Sequence, residues 1–133
     1  MAALAVSSRQ LTRPGRNVAG TADRKEGPGV ADMPAEPLSA HDIEAGLREL
    51  PGWQLEGDRI TRTYRLPSHF AAAGLTVHVA RIQEELNHHS DLTLGYNTVA
   101  LAVHTHDAGG AVTRKDLTLA ARVEAIAAGH GAE

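Results

Sequence analysis

The sequence predicts an α+β fold of order αββαββα, with a four-stranded antiparallel sheet and the helices packed on one of its faces. Three observations lead to this prediction. Apolar residues recur at helical spacing in three segments, and they alternate with polar residues in the segments between. The strand-like segments also come as adjacent pairs, which favours hairpins over parallel crossovers. An antiparallel sheet covered by helices is the simplest packing of such elements.

The ordered part of the chain is expected to begin near residue 38. Residues 1–37 contain four of the six prolines and show neither helical nor strand periodicity, so we expect a disordered N-terminal extension. Two alternatives stay open for this stretch. One is that Met33 is the true start of the protein. The other is that the beginning of the chain, which has no acidic residue before Asp23, is an organelle transit peptide. One domain is expected over residues 38–131.

The sequence of the first half of this domain predicts a helix followed by a hairpin. Ser39, a common helix-capping residue, precedes apolar residues that are four and then three positions apart. Pro51-Gly52 is expected to end the helix. Residues 53–55 and 59–65 flank a Glu-Gly-Asp turn, as in a β-hairpin. The second strand alternates, and the side chains expected on one of its sides are Ile60, Arg62, Tyr64 and Leu66.

The second half repeats the pattern. Ser68 is expected to cap a helix over residues 69–86, with a buried stripe formed by Ala71, Leu75, Val79, Ile82 and Leu86. A loop over residues 87–91 precedes strands at 92–94 and 97–105. Thr113, with Asp116 three residues later, forms the capping-box pattern that opens a last helix.

Composition excludes several classes of protein. The net charge is −3 and aromatic residues make up 3% of the chain, which argues against a nucleic-acid binder that uses a basic patch or stacking platform. The absence of cysteine excludes disulfides, thiolate zinc sites and cysteine nucleophiles. No run approaches the roughly 18 apolar residues of a membrane span. We expect a cytoplasmic protein that binds neither nucleic acid nor membrane.

Histidines are the unusual feature of the sequence. Of eight, four lie within nineteen residues, namely His88, His89, His104 and His106, at the predicted end of a helix and the predicted end of a strand. His104 and His106 are two apart, so they should leave the same face of the strand. Glu84 precedes His88 by four residues, and a carboxylate there could orient an imidazole. No role is expected for the others, which are His41, His69, His78 and His130.

Three interpretations of this cluster stay open from the pattern alone. Imidazoles exchange protons near pH 7, so the cluster fits proton-transfer catalysis. The His-x-His spacing of His104 and His106 also fits a pair of metal ligands, although the spacing supplies no compelling third ligand. The third interpretation is that the histidines have no chemical role.

The order of these residues resembles a known family. Glu84-x-x-x-His88-His89, then Tyr96-Asn97, then Thr105-His106-Asp107 before glycines, then Asp116-Leu117 at a helix start, is similar to pterin-4a-carbinolamine dehydratase, also called 4a-hydroxytetrahydrobiopterin dehydratase. The resemblance covers about residues 38–128. The family has the αββαββα fold that the periodicity predicts.

The resemblance implies an activity and a set of residues. The reaction is the loss of water from a 4a-hydroxytetrahydropterin to give a quinonoid dihydropterin, in tetrahydrobiopterin recycling after an aromatic amino-acid hydroxylase. It implies three catalytic histidines, with His88 and His106 as the acid/base pair and His89 orienting the substrate. Residues expected beside the pterin are Glu84, Asn87, His104, Thr105 and Asp107. The resemblance implies no metal and no cofactor, and it implies a homodimer or homotetramer.

The family also suggests a non-enzymatic alternative. The same fold serves as a transcription coactivator and as an assembly factor for a carbon-fixing enzyme. This chain keeps all three histidines, which favours the enzyme, because the assembly-factor relatives generally lack the full set.

The sequence departs from the family pattern at four positions. Ser90 replaces a proline that often follows the two histidines, and Leu92 and Leu94 stand where aromatic residues can occur. His104 replaces what is commonly a small hydroxyl residue. We therefore expect a pterin pocket that depends on histidines and backbone more than on aromatic stacking.

Overall fold

The structure is a computed structural model that describes residues 36–133. The predicted N-terminal extension, with Met33, lies outside the described residues except for residues 36 and 37. The helices are α1 (Ala40–Leu47), α2 (His69–Leu86) and α3 (Arg114–Ala127), and the strands are β1 (Gln54–Glu56), β2 (Arg59–Arg65), β3 (Asp91–Leu94) and β4 (Thr98–Val103). Short 3₁₀ turns follow β4 and α3, at His106–Ala108 and Ala128–His130. The predicted αββαββα order is confirmed.

The four strands form one antiparallel sheet in the spatial order β1-β2-β4-β3. The central pair, β2 and β4, aligns Ile60 with Val103 and Tyr64 with Val99. These four side chains are buried, whereas the alternate residues of β4, such as Ala100, are only half-buried. Helix α2 packs on β3 and β4, and α3 packs on α2. The sheet therefore buries one face, and α2 lies against the β4 and β3 side of that face.

Two buried aromatic side chains tie the first hairpin to the last helix. The indole N–H of Trp53 donates to Oε2 of Glu124 at 3.1 Å, and the hydroxyl of Tyr64 donates to the same oxygen. The guanidinium of Arg62 lies 4.2 Å from the centre of the Tyr64 ring. Both aromatic side chains are buried, so their polar groups need these partners inside the protein. Two of the four aromatic residues of the chain are used at this junction.

The Tyr64 contact predicts a loss of stability at high pH. Burial, and next the hydrogen bond to Glu124, raise the pKa of Tyr64 well above its ordinary value of 10. Tyr64 ionises near pH 10 in the unfolded chain but stays neutral in the fold, so its contribution is complete below that pH and is lost above it. The free energy of unfolding, measured by denaturant titration between about pH 9 and about pH 11, should fall more steeply for the wild type than for Tyr64→Phe. Tyr96→Phe, at an exposed tyrosine, should follow the wild type.

The predicted helix caps are confirmed, while some boundaries and one buried face differ. Ser39, Ser68 and Thr113 accept backbone N–H groups at their helix starts, and Thr113 with Asp116 forms a complete capping box. Helix α1 ends at Leu47 and a turn reaches Pro51. The buried face of α2 also includes Ala72 and Gln83, because the helix packs both on the sheet and against α3. Ala71 and Leu86, two members of the predicted stripe, are only half-buried.

Candidate active site

The loop that carries His88 and His89 begins with a left-handed residue. Helix α2 ends at Leu86, and Asn87 has φ 50° and ψ 43°, a conformation that asparagine tolerates better than most residues. The N–H of Asn87 bonds to the carbonyls of Gln83 and Glu84, and the N–H of His88 bonds to the carbonyl of Gln83 at 3.0 Å. The chain therefore turns away from the helix axis before the first histidine.

A buried amide holds the other end of this loop. Oε1 of Gln83, which is 5% exposed, accepts the backbone N–H of Ser90 at 2.8 Å and also accepts the Ser90 hydroxyl. Ser90 is one of the departures from the family pattern, and a proline there could not donate the N–H. The Gln83–Ser90 contact therefore holds together the two ends of the loop in which the two histidines lie.

The second histidine segment is shaped by a glycine turn. Strand β4 ends at Val103, and Thr105 bonds to Ala111 across the turn, with Thr105 N–H donating to the Ala111 carbonyl at 2.9 Å. Gly109 and Gly110 have φ of 70° and 87°, values that side chains with a Cβ rarely adopt. The prediction that His104 and His106 leave one face of a strand is wrong, because His106 already lies in the 3₁₀ turn.

The two segments meet around a cavity of about 340 Å³. Its lining includes all the sequence-predicted site residues but one, and it adds three others. The predicted residues that line it are Asn87, His88, His89, His104, Thr105, His106 and Asp107, and the additional ones are Ser90, Asp91 and Lys115. This volume lies in the lower range for small-molecule sites. Residues that are distant in sequence therefore converge on one site.

Glu84 is the predicted residue that the structure does not bring to this cavity. Its side chain is exposed on α2, beside Ala80, Arg81 and Glu85. The physical reason is the left-handed turn at Asn87, which removes His88 from the helical register that the spacing of four residues assumed. A different carboxylate contacts His88.

That carboxylate belongs to Asp116, the capping residue of α3. Nε2 of His88 lies 2.6 Å from Oδ1 of Asp116, and both side chains are buried. Oδ2 of Asp116 accepts the backbone N–H of Thr113 and the hydroxyl of Thr105, both at 2.8 Å. The Thr113 and Thr105 hydroxyls are 2.6 Å apart. Three donors thus surround one buried carboxylate.

These bonds assign the proton on the His88 ring. An ionised carboxylate can only accept hydrogen bonds, so Nε2 of His88 carries a hydrogen, and in the neutral imidazole Nδ1 keeps a lone pair. The partner group therefore sets both the orientation and the tautomer of the imidazole, as carboxylates commonly do for functional histidines. His88 is 8% exposed, whereas His89 and His106 are exposed at the cavity.

His104 lies in a group of charged side chains at one side of the cavity. Its Nε2 is 3.8 Å from Oδ2 of Asp91, and Nη1 of Arg59 is 3.4 Å from the same oxygen. Nδ1 of His104 is buried without a hydrogen-bond partner among the described residues. A Cβ at Gly110 would lie 3.8 Å from that nitrogen, which is an ordinary van der Waals contact, so the positive φ of 87° and not the space favours glycine there.

Metal binding receives no support from the geometry of the described part. Within residues 36–133, no group of three or more histidine, aspartate or glutamate side chains is arranged to hold a metal ion. The same part of the chain contains no helix that is both long and apolar enough to cross a membrane. The arrangement that is present suits proton exchange with a bound molecule.

Asp116, Asp91 and Lys115 were not among the candidate residues from the sequence. Asp116 was recognised there only as a helix cap and as part of the family pattern. Its second function as the partner of His88 depends on a contact across 28 positions. The spacing of a capping box carries no information about such a contact, so no local signal could have revealed it.

The fold and the cavity define a class of protein: an α+β domain with a cavity lined by histidines, one of which contacts a buried aspartate. Comparison with known proteins narrows this class. Residues 36–126 match the family model described as Pterin 4 alpha carbinolamine dehydratase. The chain belongs to this family, and the identification from the sequence motif is confirmed.

Relatives cover the same part of the chain. A Streptomyces coelicolor protein named "Putative pterin-4-alpha-carbinolamine dehydratase" is 71% identical over 100 residues, 75% of this chain and 99% of that protein. A Chloroflexus aurantiacus protein of the same name is 45% identical over 89 residues, 67% of this chain and 95% of its own length. A solved structure titled "Crystal structure of transcriptional coactivator/pterin dehydratase from Brucella Melitensis" has a TM-score of 0.64 and 32% identity, covering 68% of this chain and 97% of that one.

Proposed function

We propose that this protein catalyses the dehydration of a 4a-hydroxytetrahydropterin to a quinonoid dihydropterin by histidine acid/base catalysis. The observation that carries the proposal is the convergence of His88, His89 and His106 on one cavity, with His88 held by Asp116. Membership of the dehydratase family supports the same substrate class. We place the reaction in tetrahydrobiopterin recycling after an aromatic amino-acid hydroxylase, in the cytoplasm.

The reaction breaks the C4a–O bond and moves two protons. One proton is delivered to the departing hydroxyl, which leaves as water, and one is removed from N5, whose electron pair forms the new double bond to C4a. Nδ1 of His88 has the lone pair to accept the N5 proton, because its other nitrogen already donates to Asp116. The imidazolium that forms is stabilised by the adjacent carboxylate.

The second proton is assigned to His106. This histidine is exposed at the cavity, so it can take up a proton from water after each cycle. His89, from the same loop as His88, is proposed to orient the substrate, together with Asn87, His104, Thr105 and Asp107. No net proton is consumed, since the base gains the proton that the acid loses. The chemistry uses only these side chains and assigns no step to a metal or an organic cofactor.

The proposal is tested by measuring the dehydration of a synthetic 4a-hydroxytetrahydropterin with the full-length protein. The wild type should increase the rate over the buffer reaction, and His41→Ala, at an exposed histidine outside the cavity, should match the wild type. A rate equal to that of the buffer reaction would contradict the proposal. It would favour the alternative of a non-enzymatic coactivator or assembly module, since the similar Brucella melitensis protein is also described as a transcriptional coactivator.

We also propose that the protein assembles as a homodimer or homotetramer through the outer face of α2. Phe70 and Val77 are 87% and 71% exposed and lie seven residues apart, so they share one side of the helix. Exposed apolar side chains in a row are typical of a buried interface, and most soluble oligomers are formed by identical copies.

Light scattering coupled to size-exclusion chromatography tests the assembly. The wild type should elute as a multiple of the 14.0 kDa chain mass, and Phe70→Asp combined with Val77→Asp should give a monomer. The control Ala125→Asp, on the exposed side of α3, should keep the wild-type mass. A monomeric wild type, or a double variant that stays assembled, would contradict this interface.

A further inference from the structure

Lys115 is a cation of the cavity that the proposed mechanism does not use. It lies in the first turn of α3, is half-buried, and lines the cavity with the histidines. Among residues 36–133, no carboxylate oxygen lies within 4.0 Å of its ammonium, whereas Arg59, Arg81 and Arg122 each have such a partner. Lys115 therefore lines the cavity, and its ammonium has no carboxylate of the described residues in contact.

Asp107 has the opposite charge in the same cavity. Its side chain is exposed in the 3₁₀ turn, and no cationic nitrogen of the described residues lies within 4.0 Å of its carboxylate. An ammonium can only donate hydrogen bonds and a carboxylate can only accept them. The cavity thus offers one donor-only and one acceptor-only group that contact no partner of opposite charge.

A pterin carries the complementary pattern on its pyrimidine ring. The 2-amino group and N3–H are donors, and the neighbouring 4-oxo oxygen is an acceptor. We propose that Lys115 donates a hydrogen bond to the 4-oxo oxygen, while Asp107 accepts from the donor edge formed by N3–H and the 2-amino group. This inference rests on the proposed function, and it assigns to Lys115 a substrate-binding and specificity-determining role.

Such a contact has a consequence for the reacting atoms. The 4-oxo oxygen is two bonds from C4a, the carbon that loses the hydroxyl. Holding that oxygen together with the donor edge fixes both the position and the direction of the ring, so N5 and the 4a substituent are presented to the histidines in one orientation. Lys115 would favour 2-amino-4-oxo heterocycles over related rings that lack the oxo group.

The test is a thermodynamic cycle in which two variants of the protein are each titrated with two ligands, so that the change in the protein and the change in the ligand are made separately. The probes are pterin (2-amino-4-oxopteridine) and 2-aminopteridine, which lacks the oxo group and with it the N3–H but keeps the 2-amino donor. Both are titrated by their own fluorescence with the full-length protein. Lys115→Met should weaken the binding of pterin by about tenfold or more, because a charge-assisted hydrogen bond is lost. The same variant should change the binding of 2-aminopteridine by less than about twofold.

Two matched variants complete the test. Lys115→Arg keeps a cationic donor and should recover part of the pterin affinity. Arg114→Met removes the same charge from the neighbouring position of the same turn, which borders the groove between α1 and α3 rather than the cavity, and should bind both probes as the wild type does. Should Lys115→Met not fold, as judged by its thermal unfolding curve, Lys115→Gln takes its place.

Equal weakening of both probes, or no change in pterin binding, would overturn the role of Lys115. If that happens while the wild type still dehydrates 4a-hydroxytetrahydropterin, the inference fails and the proposed function stands. If the wild type neither binds pterin nor accelerates the reaction, both fail together.

Discussion

Replacing His106 by alanine should lower kcat for the dehydration by about 10²- to 10⁴-fold, the usual contribution of a positioned general acid or base. The fold should tolerate this change. His106 is exposed, and its ring makes no hydrogen bond to another described residue. The turn around it is held instead by main-chain bonds between Thr105 and Ala111. A loss of activity in His106→Ala would therefore be caused by the missing imidazole and not by unfolding.

Steady-state kinetics and thermal unfolding on the same preparation separate the two effects. The unfolding midpoint of His106→Ala should stay close to that of the wild type, and added imidazole should restore part of the lost rate by replacing the missing side chain. A variant with kcat within about twofold of the wild type would contradict the assignment, since removal of a general acid cannot leave so small an effect.

Among the substitutions proposed for this protein, Asp116→Ala should lower the free energy of unfolding the most, by about 3–5 kcal/mol, because it removes the charged centre of a buried network. Asp116 is fully buried, and its carboxylate accepts bonds from His88, Thr105 and the backbone of Thr113. Without it these donors lose their partner, and buried donors without a partner cost free energy of their own. Urea titration of the two proteins measures the difference.

Asp116→Asn separates orientation from stability. The amide has the same shape, and its oxygen can still accept from Thr105 and Thr113. Its NH₂ group then faces Nε2 of His88 and must donate to it. His88 would change tautomer, so that Nδ1 carries the hydrogen and can no longer accept a proton from N5.

The expected result is a drop in kcat of about 10²- to 10⁴-fold, comparable to the effect of a wrong histidine tautomer in a catalytic triad. The loss of stability should be smaller than that of Asp116→Ala. A kcat equal to that of the wild type would show that the tautomer of His88 does not matter for the reaction. Asp42→Asn, at an exposed acidic residue in the first turn of α1, is the matched control and should leave the rate unchanged.

Local patterns were sufficient to predict most of the fold. The alternation over residues 59–65 matches the observed strand, and the α2 boundaries match residues 69–86, because these limits depend on caps and on the turn at Asn87. The buried face of α2 was less accurately predicted. Periodicity locates an apolar face only approximately, and contacts with both the sheet and α3, which the local pattern does not specify, bury Ala72 and Gln83 as well.

The candidate site was predictable where it depends on short sequence segments. The two histidine segments were recognised, and they do line one cavity. The partner of His88 was not predictable, because its contact with Asp116 joins residues that are 28 positions apart in the chain. The expected contribution of Glu84 assumed that α2 continues to His88, which one left-handed residue prevents.

The contact between Gln83 and Ser90 has an evolutionary consequence. The amide oxygen of Gln83 is useful at that buried position because Ser90 supplies both a main-chain N–H and a hydroxyl donor. A proline at position 90 has no such hydrogen, so it would remove the reason for an amide at position 83 and favour an apolar residue there. The two positions should therefore covary, with serine at one accompanied by glutamine at the other, and a single exchange at either position should be selected against until the second follows.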